Sequence, residues 1–139
     1  QVVMKDALQK FTDRDALVAE CDIVPPNLSL SPMVSDNVLP RGKRCFVVID
    51  EGKIRGMVTL RNIRAVPQMQ WDYTNVEKAM TPLGRLETAS PEEDAGSLME
   101  RMDELDINQI PVVSDGNFLG LVTREGLLKV MRTRLDLRM

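Results

Sequence analysis

Val47-Val48-Ile49-Asp50-Glu51-Gly52-Lys53-Ile54-Arg55-Gly56-Met57-Val58-Thr59 decides how this chain is read, because its wording returns as Val112-Val113-Ser114-Asp115-Gly116-Asn117-Phe118-Leu119-Gly120-Leu121-Val122-Thr123. The two stretches align at an offset of 65 up to Asp50 and 64 from Gly52, which puts a one-residue difference at the turn. Eight positions are identical in that alignment, counting Pro26 and Pro91 upstream at the same offset of 65. Self-similarity at a fixed period marks a repeat architecture. Within each copy, Phe46–Ile49 and Ile110–Ser114 are β-rich apolar runs, Asp50-Glu51-Gly52 and Asp115-Gly116 are hairpin turns, and Ile54–Val58 and Phe118–Val122 return as second strands. Thr59 and Thr123 then stand as helix N-caps before apolar residues at helical spacing: Leu60, Ile63 and Val66, or Leu127, Leu128 and Met131.

Upstream of the second hairpin, Ser90-Pro91-Glu92-Glu93 signals a helix start, and Ala95, Leu98, Met99, Met102 and Leu105 form its apolar stripe. The first copy repeats this less cleanly, with Pro26 and Ser31-Pro32 as the opening, Leu30, Met33, Val34 and Val38 as the stripe, and Pro40-Arg41-Gly42 as the close. The expected fold is therefore α/β, a tandem of β-α-β-β-α repeats related by a pseudo-two-fold axis. A connecting helix is expected over residues 1–13, with Val2, Val3, Leu8 and Phe11 on its apolar face, then repeat 1 over 14–66, a linker over 67–75 and repeat 2 over 76–139. Trp71 and Tyr73, the single tryptophan and the single tyrosine, are expected to pin that linker to the core.

The composition excludes several classes of function. At 139 residues with 43% hydrophobic and 28% charged side chains, the chain can hold an ordinary core. A net charge of −3 gives non-specific nucleic-acid binding no electrostatic support. The absence of histidine removes zinc-protease helices, serine–histidine triads and imidazole acid–base catalysis together. No catalytic residue and no metal ligand set is assigned. Cys21 and Cys45 are expected to be reduced thiols, since no signal peptide accompanies them. Apolar runs such as Cys45–Ile49 and Ile110–Val113 fall far short of the ~20 residues of a membrane span. The chain opens on Gln1 directly into a helical pattern, so it is expected to be a piece of something longer.

A duplicated β-α-β-β-α unit with Gly56-Met57-Val58-Thr59 plus Asn62, and Gly120-Leu121-Val122-Thr123, resembles the cystathionine β-synthase (CBS) domain pair, or Bateman module. Pro111-Val112-Val113 and Met80-Thr81-Pro82 before Leu86-Glu87-Thr88 carry the same resemblance, which covers residues 14 to 137. More narrowly, Val24-Pro25-Pro26-Asn27-Leu28-Ser29-Leu30, Thr59-Leu60-Arg61-Asn62-Ile63 and Val66-Pro67 with Trp71 and Thr74 resemble the C-terminal CBS pair of prokaryotic site-2-protease-type intramembrane zinc metalloproteases. That resemblance implies a cytoplasmic-facing soluble domain of an integral membrane protein, with the zinc and the catalytic residues in a preceding membrane domain. It also implies a homodimer, and an adenosyl ligand such as AMP, ATP or S-adenosylmethionine held between the copies.

On that reading Gly56 permits close backbone approach, Thr59 offers a hydroxyl to phosphate and Asn62 an amide to ribose. Ile23 and Val24 would pack the adenine. Arg44 belongs to a basic run from Arg41 to Arg64 that holds seven cations and two acids, suited to phosphate. Thr88 and Thr123 are the corresponding candidates in copy two. Strong adenosine binders of the family carry Asp where Asn62 stands, and its counterpart here is Gly126, so the second cleft is expected to be impaired. The bland reading makes Thr59 and Thr123 plain N-caps and the cations a solvated face. Three functions follow: a nucleotide sensor acting on an attached protease, a ligand-free dimerisation and docking module using Met33, Met99, Met102, Leu127, Leu128 and Met131, or an enzyme in its own right. For the last, no base stands ready to activate a cysteine. The basic stretch Arg124–Arg138 could approach anionic lipid, but is more simply the solvated face of the last helix.

Overall fold

The computed structural model describes residues 21–138, without the side chains of Val130, Met131 and Arg134. The helix expected over Gln1–Phe11 therefore lies outside the described residues, as does the Met131 side chain. The described chain forms two compact units, one ending at Leu86 and the other beginning at Glu87.

In the first unit β1 (Cys21–Val24) pairs in parallel with β2 (Cys45–Asp50), which turns back antiparallel into β3 (Lys53–Thr59). Between β1 and β2 run α1 (Leu30–Met33), a π-helical stretch Val34–Val38 and α2 (Leu39–Arg41), closed by Gly42 at φ 67°. Only a residue without Cβ adopts that left-handed value at little cost, so the helix ends there. After β3 come α3 (Leu60–Arg64), a 3-10 helix Gln68–Tyr73, α4 (Val76–Ala79) and the two-residue β4 (Thr81–Pro82), which pairs antiparallel with β3 at Gly56 and Met57. The second unit contains α5 (Ala95–Leu105), the hairpin β5 (Gln109–Ser114) and β6 (Asn117–Thr123), and α6 (Arg124–Asp136). Ala89 supplies the place of a first strand through a parallel bridge to Val112.

Both hairpins turn on two left-handed residues, Glu51 and Gly52 at φ 52° and 81°, and Asp115 and Gly116 at φ 52° and 80°. This is the turn whose twist matches that of the flanking strands. The repeat register differs from the expected one. The strand bounds superpose at an offset of 64 on both sides of the turn, and both hairpins carry a bulge at the same place, between Val48 and Ile49 and between Val112 and Val113. Upstream, Val24 opposite Val48 corresponds to Ala89 opposite Val112, an offset of 65. The extra residue therefore lies between the first and second strands of copy one. The match of Val47-Val48 to Val112-Val113 was one residue out.

Strand alternation explains the first core. Val24, Phe46, Val48 and Val58 point to one sheet face and pack with Leu30, Met33, Ile63 and Val76. The second core joins Ala95, Leu98 and Met102 of α5 to Ile110, Val112, Val122 and Leu127. Met33, Met102 and Leu127 are fully buried there, so they form core rather than a self-association surface.

Three further expectations are corrected. Ser90–Glu93 is a turn, with the Glu93 N–H bonding the Ser90 carbonyl at 3.2 Å, and α5 starts only at Ala95. Its cap is Asp94, whose Oδ2 accepts from the Ser97 N–H at 3.0 Å. Tyr73 is 86% exposed and pins nothing, whereas Trp71 donates from Nε1 to the Val66 carbonyl at 2.9 Å and packs against the core. Finally, Cys21 and Cys45 are not free thiols. Parallel pairing sets them directly opposite, 4.5 Å apart at Cα, and they are joined as a disulfide.

Candidate ligand-binding site

The strand register sorts the predicted contacts of the first unit by face. Directly paired residues share a face, so Ile23, Val47 and Met57 stand in one row and Cys21, Cys45 and Thr59 in the next, all on the side away from the first core. Val24 points the other way, is 5% exposed and belongs to that core, while Ile23 is 58% exposed. Of the two residues considered for adenine, Ile23 therefore has a side chain open to a ligand on the Thr59 face.

At the end of β3 three side chains converge. The Thr59 backbone N–H and hydroxyl both donate to Asn62 Oδ1, at 2.8 and 3.1 Å, and Asn62 Nδ2 donates to Thr81 Oγ1 at 3.3 Å. All three residues are half-buried. Thr81 arrives there because β4 pairs with β3 at Gly56, where an added Cβ would collide with the Thr81 carbonyl oxygen and approach Met80 Sδ to 2.7 Å. Gly56 thus serves the approach of the protein's own backbone. Sequence reasoning noted Met80-Thr81-Pro82 but gave Thr81 no role. Its signal was the threonine at a distance that only the β3–β4 pairing closes.

The second unit is simpler. Thr123 Oγ1 accepts from the Gly126 N–H at 2.9 Å, an N-cap with no side chain at the Asn62 position. Thr88 is half-buried and its carbonyl accepts from Arg101 at 2.7 Å, while Arg101 also pairs with Glu93 at 3.2 Å. Arg124 fastens α6 to the end of α5 through the Met102 and Ile107 carbonyls, at 2.8 and 3.1 Å.

Three of the seven cations in the basic run of the first unit are held in ion pairs. Arg41 and Lys43 both pair with Asp22, at 3.1 and 3.7 Å, and Arg55 spans Asp50 and Glu77 at 3.3 and 2.9 Å. Arg44 is exposed and lines a separate recess on the helical side, with Arg64 and Trp71. Among the described residues there is no group of three or more metal-ligating side chains, and no helix is long and apolar enough to cross a membrane.

Residues 76–133 match the family model of the CBS domain, and the first unit carries the same hairpin and following helix. Relatives of the chain include "Putative zinc metalloprotease Rip3" of Mycobacterium tuberculosis H37Rv, 29% identical over 84% of this chain and 30% of that protein. Another is "Putative zinc metalloprotease sll0528" of Synechocystis, 21% identical over 94% of this chain and 35% of that protein. The chain thus spans about a third of the length of these relatives. Among solved structures, it resembles the cytosolic domain of the Mg2+ channel MgtE in complex with ATP, at TM-score 0.65 and 21% identity over 83% of this chain and 46% of that one. It also resembles the CBS domain pair of MJ0100 in complex with 5′-methylthioadenosine and S-adenosyl-L-methionine, at TM-score 0.61 and 22% identity over 86% and 94%.

Proposed function

We propose that this chain is a regulatory CBS module that binds an adenine nucleotide through its first repeat and controls a zinc metalloprotease domain elsewhere in the same protein. The Thr59–Asn62–Thr81 cluster carries the reading: three polar side chains meet on the sheet face that also presents exposed Ile23. On this reading Thr59 meets phosphate, Asn62 meets ribose, and Ile23 packs a base. The ATP complex of the MgtE domain, the adenosyl-ligand complex of MJ0100 and the metalloprotease names of the relatives support this reading. The module would face the cytoplasm and act as a homodimer beneath a membrane-embedded, zinc-bearing catalytic domain.

One observation favours a second reading, a ligand-free docking module. Asn62 Oδ1 already accepts two bonds from Thr59, and position 126 offers only glycine. Calorimetric titration with AMP, ATP and S-adenosylmethionine separates the two. The sensor gives one ligand per chain, lost in Thr59→Ala with the fold retained, since a lost cap costs only about 1 kcal/mol. It also binds more tightly in Asn62→Asp, where a carboxylate can accept from both ribose hydroxyls. No heat at millimolar ligand, or unchanged affinity in Thr59→Ala, rejects the site.

A further inference from the structure

Arg44 leads to a different pocket. A recess of about 290 Å³ opens on the helical side of the first unit. Val34 and Val38 of the π-helical stretch, Leu60 and Ile63 of α3, and Trp71 wall it. Arg44 and Arg64, both exposed, complete the lining. Helical residues advance by about 100° each, so Asn62 lies roughly half a turn round α3 from Leu60 and Arg64. The recess and the Thr59–Asn62–Thr81 cluster therefore use opposite sides of one short helix.

Three features set this recess apart from a dent in the surface. Its walls are aliphatic and indole, and Leu39, 75% exposed, extends the apolar lip. Its two cations, unlike Arg41, Arg55, Arg101 and Arg124, have no ion-pair partner among the described residues. Its helical wall is a π-helical segment, a widened turn that occurs disproportionately at functional sites. The volume is at the lower edge of small-molecule pockets, too small to enclose a nucleotide and suited to one ring or a short branched chain. Guanidinium groups select an oxyanion, which they can hold through two parallel bonds.

We infer that the recess binds a small organic acid with a compact apolar body, a carboxylate or phosphate monoester whose ring or chain lies against Trp71 while its head meets Arg44 and Arg64. Such a ligand would give the module a second input, independent of the nucleotide site proposed above.

Trp71 is the single tryptophan, so its emission reports occupancy directly. The probes are cyclohexanecarboxylate, cyclohexyl phosphate and neutral cyclohexylmethanol, none of which absorbs where indole does. A saturable change in Trp71 emission with either acid supports the site, and the tighter acid names the head group. The Arg44→Gln/Arg64→Gln double variant, altered only at exposed positions, should bind about tenfold more weakly or worse. Thr59→Ala should leave the response intact, which separates this site from the nucleotide reading. An equal response to the neutral alcohol, no response to either acid, or an emission change on diluting the protein alone would overturn the inference. The last result would mean that a second copy covers the recess.

Discussion

Replacing Gly56 by alanine adds one carbon at a place where the backbone leaves no room. Its Cβ would run into the Thr81 carbonyl oxygen and stand 2.7 Å from Met80 Sδ. Methionine can rotate away, but the Thr81 carbonyl is held by the pairing of β4 with β3, where Gly56 faces Pro82 and Met57 faces Thr81. Relief therefore requires β4 to move. Overpacking of this kind costs about 1–3 kcal/mol, and a backbone obstacle argues for the upper half, about 2–3 kcal/mol. Gly84, two residues past β4, supplies the control. Nothing lies within 4 Å of a Cβ there and its φ is not left-handed, so Gly84→Ala should stabilise by about 0.4–1 kcal/mol through the unfolded chain. For a chain of this size each kcal/mol moves Tm by about 4 °C. Gly56→Ala should then melt about 8–12 °C lower and Gly84→Ala a few degrees higher, by calorimetry with urea unfolding alongside. If Gly56→Ala unfolds within about 0.5 kcal/mol of the parent, β4 does not crowd that glycine and the geometry of the cluster is wrong.

Two further outcomes test other links. Reduction of Cys21–Cys45, 24 residues apart in sequence, should lower stability by about 3 kcal/mol through the freed unfolded chain, read as a lower Tm in dithiothreitol and a mass gain of two hydrogens. Two thiols that react with a maleimide before any reductant is added would contradict the pairing. Asp94→Ala should cost about 1 kcal/mol by uncapping α5 while Asp94→Asn costs less, and equal stability of the two would remove the cap from the account.

Local chemistry made the hairpins legible. Glu51-Gly52 and Asp115-Gly116 sit at left-handed φ as their turn requires, and the apolar stripes bury Leu30 and Met33 of α1 and Ala95, Leu98 and Met102 of α5, whereas Leu105 at the end of α5 is 47% exposed. Register was harder, because Val47-Val48 and Val112-Val113 read alike while the strand pairing aligns them one residue out of step. In a strand a shift of one residue changes the face, which is why Ile23 and Val24 could not be told apart until β1 was paired. The cysteine pairing was hidden for the same reason: spacing of 24 residues says nothing about being opposite on neighbouring strands. At the site, Thr59 and Asn62 were visible as a motif within one turn of helix. Thr81 came from a segment whose partner is fixed only by tertiary pairing.

The family match begins at Val76, yet the first compact unit runs on to Leu86. Val76 is fully buried in the first core, and Thr81 completes the Asn62 cluster. Scissors applied at residue 76 would therefore leave a first half with a hole in its core and an amide without its threonine, and a second half trailing eleven residues bereft of their seat. The start of the family match and the structural joint therefore do not coincide, and a half-module that keeps its own core would have to be cut after Leu86 rather than before Val76.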